Sequence, residues 1–296
     1  MRSFVEATIT IEAAGMDDRP AIIELDAWLR TPPGQCLLKW EQAQLDRAVN
    51  DVFGYHAVQL GLPELQGLRA NRMPHRWVAT DSRFVVEPLP LPEPDDASIS
   101  TLPFDPAPTL RCDFDALPFP SASIDLVVLP HALELARDPH LALREVERVL
   151  VPEGRVVITG FNPASLWGLR QRLGRARNAI GLLGRSRLYL PRAGEFLNYW
   201  RLRDWLRLLS FEVEGGRFGC YRPPYRSQRW IDRSAWLEPI GERWWPVLGA
   251  VYFLVAVKRV RGMRLVGLAR HEARQARATN AAVANRRRPQ PETMCE

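Results

Sequence analysis

Asp81, Asp113, His131 and Asn162 each follow a short run of apolar or β-branched residues and are separated from one another by helical or loop sequence. Two carboxylates, an imidazole and an amide in that arrangement can bind hydroxyls, accept from amines and move a proton. In an open parallel sheet, such strand ends face one crevice. The positions gathered there are Gly61, Asp81, Cys112-Asp113-Phe114, Pro130-His131 and Gly160-Phe161-Asn162. His131 can serve as a general base near neutral pH or as a structural hydrogen-bonding residue. Asp81 can bind ligand or cap a solvated turn, and Asp113 can bind ligand or hold its own loop.

The elements that must position these residues are legible as patterns. Ile124–Leu129 and Val156–Thr159 are too short for helices and read as buried parallel strands. Between them Asp138 is an N-cap, Pro139 suits the first helical position, and Leu143, Val146 and Leu150 share one face. The turn Pro152-Glu153-Gly154 should end that helix and feed the next strand. Residues 55–61, 75–79, 211–214 and 249–257 read as further strands. Thr31-Pro32-Pro33 should stop a short helix near 21–30, and Leu45, Val49, Val52 and Phe53 mark a helix from Glu41 that ends at Gly54. A helix is expected near 203–209, and Trp230, Trp236, Trp244 and Trp245 fall in a hairpin-like excursion.

The stretch Thr109–Asn162 resembles the second half of the class I S-adenosylmethionine-dependent methyltransferases, the type 11 group in particular. Asp113-Phe114-Asp115-Ala116-Leu117-Pro118-Phe119 is similar to that family's D-x-x-x-L-P-F segment, and Ile124-Asp125-Leu126-Val127 to its F-D-x-V strand. Leu143-Arg144-Glu145-Val146 through Arg148-Val149-Leu150-Val151-Pro152-Glu153-Gly154 is similar to L-R-E-x-x-R-V-L-x-P-G-G, with Glu153 at the first glycine. The resemblance implies an α/β, Rossmann-like fold: a seven-stranded, mostly parallel sheet with helices on both faces, strand 55–61 central and an antiparallel last strand.

It also implies S-adenosylmethionine as cofactor. Gly61, Asp81, Asp113, Phe114 and Pro130 would bind it, Asp81 at the ribose and Asp113 at the adenine amine, with His131 and Asn162 facing the methyl acceptor. The family's D/E-x-G-x-G-x-G loop corresponds to Gln59-Leu60-Gly61-Leu62-Pro63-Glu64-Leu65, in which only Gly61 is retained. A methyltransferase fold that binds without catalysing is therefore the second reading. Glu134 matches a position some relatives use near a metal, but the adjoining His is Leu135 here, so no metal is expected.

The chain of 296 residues has a formal charge of +6, but 258–288 hold ten Lys/Arg against Glu272 alone, leaving about −3 on the rest. Residues 1–40 are expected to form an N-terminal segment, 41–261 a methyltransferase-like domain with insertions near 82–108, 163–195 and 222–246, and 262–296 a basic tail expected to be disordered. Residues 170–192 carry seven arginines, a candidate lid or acidic-substrate face. The tail could meet nucleic acid through charge alone. Four widely spaced cysteines and the lack of a spanning apolar run suggest a reduced, cytoplasmic protein with no transmembrane segment. The acceptor is expected to be a small molecule.

Overall fold

The computed structural model describes residues 25, 27–81, 110–180, 188–191 and 196–260. The proline-laden stretch near 87–108 and the basic tail lie outside the described residues.

Seven strands form one sheet: β1 (His56–Leu60), β2 (His75–Thr80), β3 (Leu110–Arg111), β4 (Ile124–Pro130), β5 (Leu150–Phe161), β6 (Phe211–Gly219) and β7 (Val251–Lys258). Their spatial order is β3-β2-β1-β4-β5-β7-β6. All pairs from β3 to β5 are parallel, and β7 runs antiparallel to both β5 and β6. This is the mostly parallel seven-stranded sheet expected from the sequence; β1 is an interior strand, but the middle position belongs to β4. Because β1 and β4 are buried on both faces, side chains alternate between two cores instead of between core and water.

Val58, Leu60, Val127, Leu129, Val156 and Ile158 enter one core with Leu143 and Val146 of α3 (Pro139–Val149) and Leu202 and Leu206 of α5 (Tyr199–Leu208). Ala57, Leu126, Val128 and Val157 enter the other with Leu37, Leu45 and Val49 of α1 (Pro32–Val49). A one-turn helix α2 (Ala132–Leu135) follows β4. The helix α4 (Leu166–Ile180) follows β5, and α6 (Gln228–Arg233) and α7 (Leu237–Trp244) precede β7.

Three local expectations are corrected. The short helix expected near 21–30 is helical at the described residues 25 and 27–29 and stops before Thr31 as expected, but the same prolines also start α1, well before Glu41, because proline's missing N–H costs nothing in a first turn. That helix ends at Val49, short of Gly54. The tryptophan segment is helical, with α6, α7 and a 3-10 turn at Pro246–Leu248, because its apolar residues recur at helical and not strand spacing. Finally, β5 begins at Leu150, and its pairing with β4 skips from Leu150 to Arg155, so Pro152-Glu153-Gly154 is an irregularity inside the strand and not a turn ahead of it. Glu153 there has φ 65°, the left-handed region that explains glycine at this place in the resembled signature.

The end of β6 is fixed against α1. A Cβ on Gly219 would lie 2.0 Å from the Trp40 ring, whereas one on Gly215 would meet nothing within 4 Å. Gly219→Ala should therefore lower stability by about 1–3 kcal/mol through overpacking, while Gly215→Ala should change it by less than about 1 kcal/mol. Chemical denaturation of the two variants checks this; equal losses would contradict the packing at Trp40.

Candidate functional site

The loop that carries Asp113 and Phe114 is held from behind by α3. Arg148 donates to the carbonyls of Leu117 (3.0 Å) and Phe119 (2.9 Å), and Glu145 accepts from the Leu117 amide (3.1 Å) while pairing with Arg148 at 2.8 Å. The Arg148 hydrogen bond holds the Glu145 carboxyl below its ordinary range. Glu145 and Arg148, the charged residues of the sequence signature, thus act on the loop and not on a ligand. Asp138 caps the same helix, accepting from His140 (2.9 Å) and Leu141 (3.1 Å).

These constraints shape a cavity of about 160 Å³ at the carboxyl ends of β2 and β3, lined by Asp81, Asp113, Phe114, Asp115, Ala136, Arg137 and Asp138. Asp81 is buried, Asp113 reaches solvent, and Phe114 is buried in the core edge. Burial and then the Asp113 and Asp81 charges push the Cys112 thiol up to about 11, so it stays neutral between them. Two carboxylates on adjacent strand ends beside an aromatic ring suit a polyhydroxylated ring with an attached amine-bearing heterocycle.

Gly61 lies next to the ends of β1 and β2 with φ +82°, and its amide donates to Ala79 at 2.8 Å. Beyond it the loop is closed on itself by Gln59. The Gln59 amide nitrogen donates to the carbonyls of Leu62 (2.9 Å) and Leu65 (2.7 Å), and its oxygen accepts from Gly67 at 2.8 Å. Leu65 donates to Leu62 and Gln66 to the Gln42 side chain. Pro63 has no amide to offer. The amides of Gly61, Leu65, Gln66 and Gly67 therefore have partners within the chain. An adenosine moiety fits the residues of the cavity; an amide cradle for an amino-acid moiety is not offered by these four groups in this arrangement.

His131 and Asn162, expected at the acceptor, are both buried. His131 Nε2 lies 2.9 Å from Glu41 Oε1 and Nδ1 lies 2.9 Å from Glu134 Oε2. Glu134 Oε1 also accepts from the Phe161 amide. Burial alone would push the imidazole down, but the Glu41 and Glu134 carboxylates more than offset it and raise His131 to about 10. The cation is the ordinary state of this residue. Asn162 donates to the carbonyls of Val247 (2.7 Å) and Gly249 (2.9 Å) and accepts from Ala164, tying the end of β5 to the entry of β7. Pro130 is buried at the end of β4 opposite Thr159. The structure thus brings Asp81, Asp113 and Phe114 to one cavity, whereas His131, Asn162 and Pro130 are enclosed in the protein.

Reading the sequence missed Glu41, Arg137 and the role of Gln59. Glu41 did leave a signal, since it interrupts the apolar stripe Leu37, Leu45, Val49 on α1 at a position that must face inward. Among the described residues no group of His, Cys, Asp and Glu is arranged to hold a metal.

Residues 95–158 match the family described as "Methyltransferase domain", type 11. Over 192 residues, 65% of this chain and 67% of the relative, the chain is 28% identical to the protein of Escherichia coli (strain K12) called "Uncharacterized protein YafS". Over 63 residues it is 46% identical to the malonyl-[acyl-carrier protein] O-methyltransferase of Halorhodospira halophila, spanning 20% of this chain and only 21% of that one. Among solved structures it is similar to a Haloferax volcanii methyltransferase in complex with the Trm112 methyltransferase activator. The TM-score is 0.47 at 16% identity, covering 82% of this chain and 100% of that one.

The ionised cluster gives a pH signature. A histidine raised from about 6.5 to about 10 stabilises the fold fully below pH 6.5, and that contribution is lost as pH rises through 10. Burial also raises Glu134, which acts in the same direction. The melting temperature should fall from pH 6.5 toward pH 10. Glu41→Gln should cost about 3–5 kcal/mol at neutral pH, since it leaves a buried charge short of a partner, and should flatten that fall. A parent whose melting temperature rises over this range would contradict a cationic His131. At the loop, Gln59→Ala should cost about 1–3 kcal/mol by removing the buried hydrogen bonds its side chain makes to Leu62, Leu65 and Gly67, read by thermal denaturation.

Proposed function

We propose that this chain, which belongs to the class I S-adenosylmethionine-dependent methyltransferases, binds S-adenosylmethionine with its adenosine in the Asp81–Asp113–Phe114 cavity and transfers the methyl to a small-molecule acceptor. The observation that carries the reading is the pair of carboxylates on consecutive strand ends beside an aromatic side chain, held by Glu145 and Arg148. When bound, the cofactor supplies an electrophilic methyl on a sulfonium.

In this reading Asp81 accepts from the ribose hydroxyls, Asp113 from the adenine amine, and Phe114 packs on the ring. Gly61 leaves room beside Ala132, and Pro130, enclosed at the end of β4, supports the site from within the sheet without lining the cavity. His131 and Asn162 act as positioning residues for the acceptor side, because both are buried and hydrogen-bonded within the chain. The expectation of a cytoplasmic protein stays with this proposal, resting on its widely spaced cysteines. A second reading, a methyltransferase fold that binds without catalysing, is favoured by one observation: Gln59 fills the interior of the first loop with its own hydrogen bonds.

Calorimetric titration of the full chain with S-adenosylmethionine and with its demethylated product separates the two. Asp113→Ala should weaken binding about tenfold, the loss of one hydrogen bond to a charged group at a partly solvated site. Asp81→Asn should weaken it at least as much, because Asp81 is buried. Equal affinity in parent and Asp113→Ala would overturn the adenine assignment. No heat at millimolar cofactor would overturn the enzyme reading and leave the binding module.

A further inference from the structure

The helix α4 turns apolar residues in both directions. Trp167 and Gln171 face inward, where Trp167 Nε1 donates to the Arg222 carbonyl at 2.7 Å and Gln171 accepts from the amides of Tyr189 and Leu190. Leu166, Leu169 and Leu173 form a second stripe that is about half exposed, at 49%, 50% and 57%. A helix with a satisfied inner face has no folding reason for an apolar outer one. The same helix carries Arg170, Arg172, Arg175 and Arg177 and no acid.

Hydrogen bonds hold beside this helix other segments that carry exposed aromatic and apolar residues. Arg170 donates to the Pro224 carbonyl, and the Tyr189 hydroxyl to the Tyr225 carbonyl at 3.2 Å. The Tyr225 ring lies 5.7 Å from Trp230, over which the Arg233 guanidinium sits at 5.8 Å. On the other side Asn162, four residues before Leu166, bonds the Val247 carbonyl, and Val247 and Leu248 are exposed. Trp244 and Trp245, just before that turn, are 70% and 56% exposed. Of the acids nearby, Glu238 is turned inward, pairing with Arg222 and accepting from the Tyr221 amide, while Asp232 and Glu242 are exposed on the neighbouring helices and α4 itself carries none.

We propose that this arginine-flanked face of leucine, tryptophan and tyrosine, centred on α4, seats the protein on the surface of an anionic phospholipid bilayer. Tryptophan and tyrosine partition to the headgroup level, leucines enter the acyl boundary, and arginines meet lipid phosphates. The charge argues for a lipid surface over a second copy of the chain, since two faces each bearing the α4 arginines would repel. No helix among the described residues is long and apolar enough to cross a membrane, and the attachment proposed is peripheral. The proposal does not depend on methyl transfer.

The test is sedimentation of the full chain with phosphatidylcholine vesicles, with and without roughly one third phosphatidylglycerol. The chain should bind the anionic vesicles with its tryptophan emission shifted to the blue, and release at high salt. Leu169→Glu with Leu173→Glu should weaken binding by about tenfold or more with an unchanged melting temperature, because both side chains are solvent-facing. Quenching of the parent's tryptophans by brominated lipid gives the same answer without a variant. Replacing Arg286, Arg287 and Arg288 with Glu should leave most of the binding in place. Absence of binding, binding unaffected by the leucine changes, or loss on the tail changes alone would overturn the proposal. A dimer in sedimentation velocity that the leucine changes dissolve would assign the face to a second copy and overturn it as well. No cofactor enters the assay, so its failure is separate from failure of the methyltransferase reading.

Discussion

A buried imidazolium held between two carboxylates joins the parts of this molecule that matter most to its crevice. His131 follows the central β4, Glu134 lies on α2, and Glu41 comes from α1, ninety residues earlier in the chain. Removing these charges from water is costly, and only direct pairing and hydrogen bonds at both ring nitrogens offset it. Glu134 also accepts from the Phe161 amide, which extends the constraint to the end of β5. The helix α1 can therefore sit in one register on the sheet, with Glu41 inward and Leu37, Leu45 and Val49 beside it. Packing of apolar residues alone would tolerate small slides; an ion cluster does not.

That constraint closes one side of the strand ends, and the other side is left open. The ends of β1, β4 and β5 are filled by protein groups: Gln59 inside the first loop, His131 under α1, and Asn162 across the β7 entry. The ends of β2 and β3 keep a cavity, because Arg148 and Glu145 draw the 117–119 loop back onto α3. The asymmetry concentrates ligand chemistry at the Asp81 and Asp113 side. It also gives two charged signature residues an architectural role: a guanidinium that bonds two loop carbonyls fixes the loop that follows Asp113.

A second pair of groups shows how the fold alters chemistry by proximity. Cys36 on α1 and Cys220 after β6 are 184 positions apart, yet the fold places them as neighbours, and their mutual influence lowers Cys36 to about 7 and raises Cys220. Arg222 and Lys39 reinforce the shift at Cys36, against burial. Neither composition nor spacing marks these two cysteines as partners, because spacing along a chain carries no information about a contact made between a helix start and a distant strand end.

The sequence by itself determined the layers. Short β-branched runs, the Asp138-Pro139 cap and the helical spacing of Leu143, Val146 and Leu150 follow from local sterics and solvation, and the mostly parallel sheet with an antiparallel last strand followed from the resemblance they carry. It also placed Asp81, Asp113 and Phe114 together, since strand ends in such a sheet share one edge. Only the tertiary structure decided that the imidazole of His131 is a buried cation instead of an exposed base, because that depends on Glu41 arriving from another element. It decided too that Gln59 occupies its own loop and that the tryptophan segment is helical. Local pattern reports which residues prefer water or a strand; it cannot report which charge will be desolvated beside which, and that pairing sets what each group can do.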